Sequence, residues 1–295
     1  MPARCLSAAV ACVVLLPASL FAQGLKFSSE FEPGVDKAKK ESKLVIVHFT
    51  QKNSPGCAML IKNVFNNVDG TALLKKYYAL RVAAEDEKGN QTFQKYGVNT
   101  TPTVMILDPS GEELVYATVP NLNEFNAMLN NATELHAGLE ALAKAKNSPT
   151  ATAAALKKIG GVASKRSQKI LREHAENDSY SEAVRRVALE GMGKQKDVAS
   201  DLVDFLDNKS LPMRTMAFNQ LKAMGPTAMP ALLDGLNGTN ADQRSNCFAL
   251  AYPHTKNAKI ARDANFWKTA KSEQRVEARK AWQDWWEKNK PADGN

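Results

Sequence analysis

Hydrophobic and polar positions follow two different regimes along this chain. In the first, short apolar runs alternate with segments of helical periodicity. Lys43 to Thr50 (KLVIVHFT) is β-branched and apolar almost throughout, the pattern of a buried strand. Ala79 to Ala84, Pro102 to Leu107 (PTVMIL) and Glu113 to Thr118 read as further strands, and Asp108-Pro109-Ser110-Gly111 as a turn. Between them the periodicity predicts helices over Val35 to Ser42, Cys57 to Asn67, Asp69 to Tyr78, Gln91 to Tyr96 and Leu122 to Leu129. The second of these places Cys57, Leu60, Ile61, Val64 and Phe65 on one face. Strands separated by helices and followed by a hairpin predict an α/β sandwich of three layers.

In the second regime, from about Thr150 to Lys290, the pattern is helical, interrupted by Gly, Pro and Asn, and it repeats. Arg185-x-x-Ala188-Leu189 recurs as Arg214-x-x-Ala217-Phe218 and Arg244-x-x-Cys247-Phe248, with a weaker copy at Arg275-x-x-Ala278. Second helices such as Val198 to Leu206 and Ala228 to Leu236 lie between the copies. A period of roughly 30 residues with two helices per unit predicts an α-solenoid, because one helix pair cannot bury its apolar face alone. Small residues at the Ala188, Ala217, Cys247 and Ala278 positions let neighbouring helices approach. The stretch Arg214-x-x-Ala217-x-x-x-Leu221-x-x-Met224-Gly225 resembles HEAT-type repeats. All four tryptophans, Trp267, Trp282, Trp285 and Trp286, fall in the last copy. Trp282 and Trp286 share a helical face and read as a cap on the final repeat. Trp285 lies off that face and is a candidate binding residue.

The chain start reads differently again. Met1 to Arg4 is positive, Leu6 to Leu16 is apolar, and Leu20-Phe21-Ala22 precedes Gln23, the layout of a signal peptide cut near Ala22. The run is shorter than the roughly 20 residues that a membrane span needs, and it contains Pro17. The organisation expected is therefore a signal peptide over 1–22, an α/β domain over 23–135, linking helices over 136–178, helical repeats over 179–290 and a disordered tail over 291–295. The mature protein is expected in the periplasm or secreted, without a transmembrane segment. Of the four cysteines, Cys5 and Cys12 would leave with the signal, so Cys57 and Cys247 remain and the fold must hold by its core. The net charge of +8 belongs to the repeat half, where acidic residues are interspersed. A protein or peptide partner is expected, not nucleic acid.

The order KLVIVHFT, Ser54-Pro55-Gly56-Cys57, amphipathic helix, strand, then Thr101-Pro102-Thr103 leading into a strand resembles the thioredoxin superfamily over residues 30 to 132. Asn90, Tyr96-Gly97-Val98 and Leu107-Asp108-Pro109-Ser110-Gly111 add to the likeness. The resemblance implies a site at the start of a helix, where a first thiolate attacks a substrate disulfide and a second cysteine releases the product. It puts Asn53 at a position that is aromatic in the family, Ser54 at the attacking position and Cys57 at the resolving one. Pro102 matches the proline that the family holds in cis, and Thr101 the residue whose backbone pairs with a bound chain. A serine hydroxyl does not ionise near neutral pH, so the dithiol cycle is unavailable here.

Three readings of Cys57 follow: a small apolar relic, a single reactive thiol, or one wall of a groove that kept its shape after losing its chemistry. Ser54-x-x-Cys57 is loosely similar to the Thr-x-x-Cys of peroxiredoxins, but Thr50 stands where their motif begins with proline. A helix N-terminus lowers a thiol pKa and burial raises it; the resemblance implies that the second cysteine is the more buried one, hence a poorly reactive thiol. Cys247 reads as a small core residue. His48, His136, His174 and His254 are isolated, none at metal-ligand spacing, and Glu85-Asp86-Glu87 reads as a solvated loop tip. No cofactor or metal is expected. The function expected is that of an exported, non-catalytic binding or scaffold protein using groove and repeats. The alternative is a one-cysteine thiol oxidoreductase, peroxidase-like enzyme or redox sensor acting through Cys57.

Overall fold

A computed structural model describes residues 24–118, 121–255 and 257–291. The expected signal segment, its cut near Ala22 and nearly all of the expected tail lie outside the described residues. The first half is a thioredoxin-like α/β domain, and the second is all-helical.

The domain opens with α1 (Phe31–Glu41), followed by the central strand β1 (Leu44–Thr50). After β1 come α2 (Pro55–Leu60), a single π-helical turn over Ile61–Phe65, α3 (Gly70–Lys76) and β2 (Tyr77–Ala83). Then follow α4 (Glu87–Lys95), β3 (Thr103–Leu107) and β4 (Glu113–Ala117). The sheet runs β2-β1-β3-β4. β1 pairs parallel with β2, Leu44 opposite Tyr77, and antiparallel with β3, His48 opposite Val104. Outside β2 the chain at Ser28 adds an isolated parallel bridge to Leu80.

Because β1 is covered on both faces, its alternate residues feed two cores. Val45, Val47 and Phe49 meet Ala38 of α1 and Phe93 of α4. Leu44 and Ile46 join Leu60, Val64 and Phe65 on the other side. The helix expected over Cys57 to Asn67 breaks into α2 and the π turn, in which the Asn66 amide donates to Ile61. Val64 and Phe65 are buried in the core from this turn, while Ile61 is half-buried. Tyr77 and Tyr78 belong to β2 rather than to the helix before it. Tyr77 is buried there, its hydroxyl 2.9 Å from that of Thr133.

The helix that starts at Leu122 does not stop at Leu129. It continues as α5 (Leu122–Ala145). Its first half buries Phe125, Met128 and Leu129 in the same core as Val104, Ile106 and Leu114 of the sheet. Its second half packs on α6 (Pro149–Ile159), where Gly138 lies so close to Ile159 that a Cβ would come within 2.9 Å. One hydrophobic core therefore runs from the sheet through α5 into the helices. A second tie is polar: the buried Asp108 carboxylate accepts from Ser110 in the hairpin turn and from Arg166, 2.7 Å away in α7 (Lys165–Glu176).

Beyond α7 come α8 (Glu182–Met192), the short α9 (Ala199–Val203), α10 (Leu211–Met224) and α11 (Met229–Gly235). After these are α12 (Ala241–Thr255), α13 (Ala258–Ala261), α14 (Ala264–Thr269) and α15 (Ser272–Asn289). They stack in two layers: α6, α8, α10 and α12 in one, α7, α9, α11 and α15 in the other. Ala188, Ala217 and Cys247 are buried at equivalent positions of the first layer, Ala278 is buried in α15 of the other, and Cys247 fills the space over Gly235. Trp267, Trp282 and Trp286 are buried at the end of the stack.

The recurring arginine has a physical reason. Each copy donates to backbone carbonyls at the turn that precedes its own helix. Arg185 reaches Ala175 at 2.9 Å, Arg214 reaches Asn208 at 2.5 Å and Arg275 reaches Ala270 at 2.5 Å. Arg244 makes the fullest set: Gly238 and Thr239 at 2.8 Å, Trp267 at 2.6 Å and Lys268 at 2.8 Å. Helix ends and turns leave carbonyls without intrahelical partners, and a planar guanidinium satisfies several at once. Arg244→Met should lower the unfolding free energy by about 3 kcal/mol, the cost of stranding buried carbonyls. The exposed Lys222→Met should change it by less than about 0.5 kcal/mol. Urea titration of both variants checks the contrast.

His48 stands alone among the polar groups of β1. It is fully buried, and neither ring nitrogen has a hydrogen-bond partner. Phe65 and Phe27 pack around it, with ring centroids 5.1 and 5.8 Å away. Burial, helped by the charge of Arg81, pulls its pKa down from 6.5 to about 4. Above the unfolded value of about 6.5 both states are neutral and nothing is lost. As pH falls from there towards 4, the unfolded chain takes up a proton that the folded one refuses, so stability drops by about 3 kcal/mol across that window. His48→Leu should remove this part of the acid sensitivity. Unfolding titrations at pH 7 and pH 4.5 would reveal it as a smaller loss than that of the unaltered protein.

Candidate functional site

At the end of β1 the chain must leave the sheet and start a helix, and Gln51 to Ser54 make that turn. Asn53 adopts a left-handed backbone with φ 60, which asparagine tolerates better than most residues. Ser54 is the N-cap of α2, its side chain accepting from the Cys57 amide at 3.3 Å, and Pro55 sits at the first helical position. Glu85 holds the same turn from outside, accepting a short hydrogen bond from the Lys52 amide. The acidic loop tip thus has a structural duty that its composition did not reveal.

Across from α2 lies the loop that leads into β3. The Thr101-Pro102 peptide bond is cis. Gly56 abuts Pro102 so closely that a Cβ there would lie 3.0 Å from the proline Cδ. The Thr101 hydroxyl donates to Gln51 at 3.4 Å, joining the two loops. Asn53, Ser54, Cys57, Thr101 and Pro102 therefore form one constellation on two apposed loops. Trp285 is outside it: it lies in α15, half-buried against the helical core.

The Cys57 residue is only 3% exposed. Burial is the largest influence on its thiol and raises the pKa. The hydroxyls of Ser54, Thr50 and Thr101 and the Gln51 backbone oppose it and together hold the thiol below its ordinary value. The expectation of a poorly reactive thiol is thus half met: the residue is buried, but its polar neighbours favour the thiolate. Thr50 and Gln51 carried no sequence signal for this role, because their contribution depends on where β1 ends relative to α2. Cys247 is the opposite case. Packed in the helical core, its thiol is pushed up to about 12 by burial. Both cysteines are free.

At the rim Met59 is exposed, the only large apolar side chain of α2 that is. The start of α2 and the loop of Thr101-Pro102 face each other through Gly56 and Pro102. One thiol is present there, and a serine stands where a first thiol would be needed for disulfide exchange.

Residues 31–133 match the family model described as a thioredoxin-like domain. Among solved structures, a DsbH oxidoreductase aligns at 14% identity with a TM-score of 0.35, covering 42% of this chain and 94% of that one. A thioredoxin from Thermus thermophilus, solved in solution, aligns at 19% identity with a TM-score of 0.34, covering 43% and 98%. No curated protein matches the chain. Residues 31–133 are thus a domain of the thioredoxin-like class, and the helical region beyond it lies outside the matched span. Among the described residues no helix is long and apolar enough to cross a membrane.

In the native protein Cys57 should react with iodoacetamide well before Cys247, which should label only after denaturation. Ser54→Ala, by removing a hydroxyl that stabilises the thiolate, should move the pH midpoint of Cys57 alkylation upwards. Mass-spectrometric peptide mapping across a pH series checks both outcomes.

Proposed function

We propose that this chain is an exported binding protein, in which a thioredoxin-like domain without dithiol chemistry and a stack of HEAT-like repeats serve together as a scaffold for a protein or peptide partner. The partition follows the reading above: a cleaved signal over 1–22, the domain to residue 135, linking helices to 178 and repeats to 290. The periplasm or the extracellular space is the compartment this implies.

One observation carries the reading. Ser54 is engaged as a helix cap, and the only other cysteine beyond the expected signal segment is buried in the helical core with its thiol pushed up. Disulfide exchange needs a thiolate to attack and a second thiol to release the mixed disulfide. Cys57 alone supplies one. The surface around it supports binding instead: an exposed Met59, and a loop at Thr101-Pro102 that packs directly on α2 because Gly56 has no side chain. Extended stacks of helical pairs favour partner recognition, since they present long surfaces on a continuous core.

A second reading rests on a specific observation, the polar ring that holds the Cys57 thiol below its ordinary pKa. It makes the protein a one-cysteine thiol enzyme or sensor.

The proposal expects that the chain from Gln23 onward, supplied with dithiothreitol, accelerates the reduction of insulin disulfides no more than a Cys57→Ala variant does. Turnover that depends on Cys57 and matches that of a working dithiol protein would sink the binding reading.

A further inference from the structure

A small cavity of about 160 Å³ lies beside the loop that carries Thr101-Pro102. Thr100 and Thr103, which flank the cis peptide bond, are part of its wall, together with Asn99. Its far side is built from two parts of the chain that meet only because the helical half docks on the sheet edge: Glu113 and Tyr116 of β4, and Lys165 at the start of α7. The first turn of α7 is fixed in place. Ser164 caps it, accepting from the Ser167 amide at 3.1 Å, and Arg166 is bonded to Asp108. The Lys165 ammonium lies 5.3 Å from the Tyr116 ring centroid.

Glu113 and Lys165 feel one another's charge, yet among the described residues they close no ion pair with each other. Glu113 is half-buried, and burial raises its carboxyl pKa against the opposing influence of Lys165. The cavity thus presents an acceptor and a donor of opposite charge that are not bonded to each other. Each wall rejects a class of occupant. An acidic side chain meets Glu113, a basic one meets the exposed Lys165, and an apolar one strips water from the half-buried Glu113 without replacing it. A primary amide fits, because its NH2 donates to the carboxylate while its oxygen accepts from the ammonium.

We infer that this cavity is the selectivity pocket of the groove at Thr101-Pro102 and takes the side chain of an asparagine or glutamine from a bound segment. The inference rests on the groove-binding reading and deepens it: Lys165, from outside the thioredoxin-like domain, becomes a specificity-determining residue. The helical half would then shape what the groove accepts as well as offer a surface of its own.

The test is selection of a phage-displayed library of random short peptides on the chain from Gln23 onward, alongside Glu113→Gln and Lys165→Met variants checked for unchanged thermal unfolding. The unaltered protein should enrich Asn or Gln at one fixed position. Glu113→Gln should shift that position towards Asp and Glu, and Lys165→Met towards Lys and Arg. The peptide selected by the unaltered protein should bind either variant about tenfold more weakly, the loss of one charge-assisted hydrogen bond. Peptides that bind but show no amide preference, or the same preference in both variants, would overturn the pocket and leave the groove reading standing. Selection of no peptide at all would overturn both.

Discussion

The structure depends on one long helix that carries a single core from the sheet into the helical stack. The first half of α5 covers the sheet through Phe125, Met128 and Leu129, and its second half docks on α6 around Gly138. A helix of 24 residues is one stiff rod in which side chains three and four apart share a face. The stripe that seals the sheet therefore continues into the stripe that starts the helical stack. Apolar burial at about 25 cal/mol per Å² is non-directional, but the rod gives it a direction. The Asp108–Arg166 pair then fixes the angle about that rod. From this follow the position of α7 against β4 and the cavity that Lys165 shares with Glu113 and Tyr116.

The same logic of shared positions explains the site. A helix start needs an acceptor for its free amides, and Ser54 supplies it. An oxygen at this position serves the helix but cannot attack a disulfide near neutral pH. The surrounding hydroxyls of Thr50 and Thr101 are turned to the one sulfur present, and Gly56 lets Pro102 pack directly against α2. The frame around the missing nucleophile is intact. On the proposed binding reading the difference from a dithiol site is local, one oxygen for one sulfur at Ser54.

Much of this was legible in the order of residues. KLVIVHFT is a central strand because no polar face interrupts it, and the arginine repeat marked every second turn of the stack before its carbonyl partners were visible. Asn53, Ser54, Cys57, Thr101 and Pro102 were grouped by the resemblance to the thioredoxin superfamily, and the structure brings them together. What escaped was whatever depends on contacts distant in sequence. The π turn at Ile61–Phe65 left no mark in the sequence, because a regular helix already puts Val64 and Phe65 on one face. The second half of α5 looked weak because Ala132, Leu135 and Gly138 form a face only against α6. Tyr77 reads as helical until its hydroxyl finds Thr133. Lys165 gave no sign of a role, since its neighbours Glu113 and Tyr116 lie some 50 residues earlier on an edge strand.

The central claim is that the thioredoxin-like frame is whole and lacks only its first thiol. Restoring that sulfur tests it most directly. In Ser54→Cys, with dithiothreitol as the reductant, the new thiolate can attack an insulin disulfide and form a mixed disulfide. Cys57 can then displace the reduced product, leaving an intramolecular disulfide for the reductant to reopen. The rate of insulin reduction should rise well above background in Ser54→Cys and return to it in Ser54→Cys combined with Cys57→Ala, while the unaltered chain stays at background. A correctly folded Ser54→Cys protein that reduces insulin no faster than the unaltered chain would contradict the account.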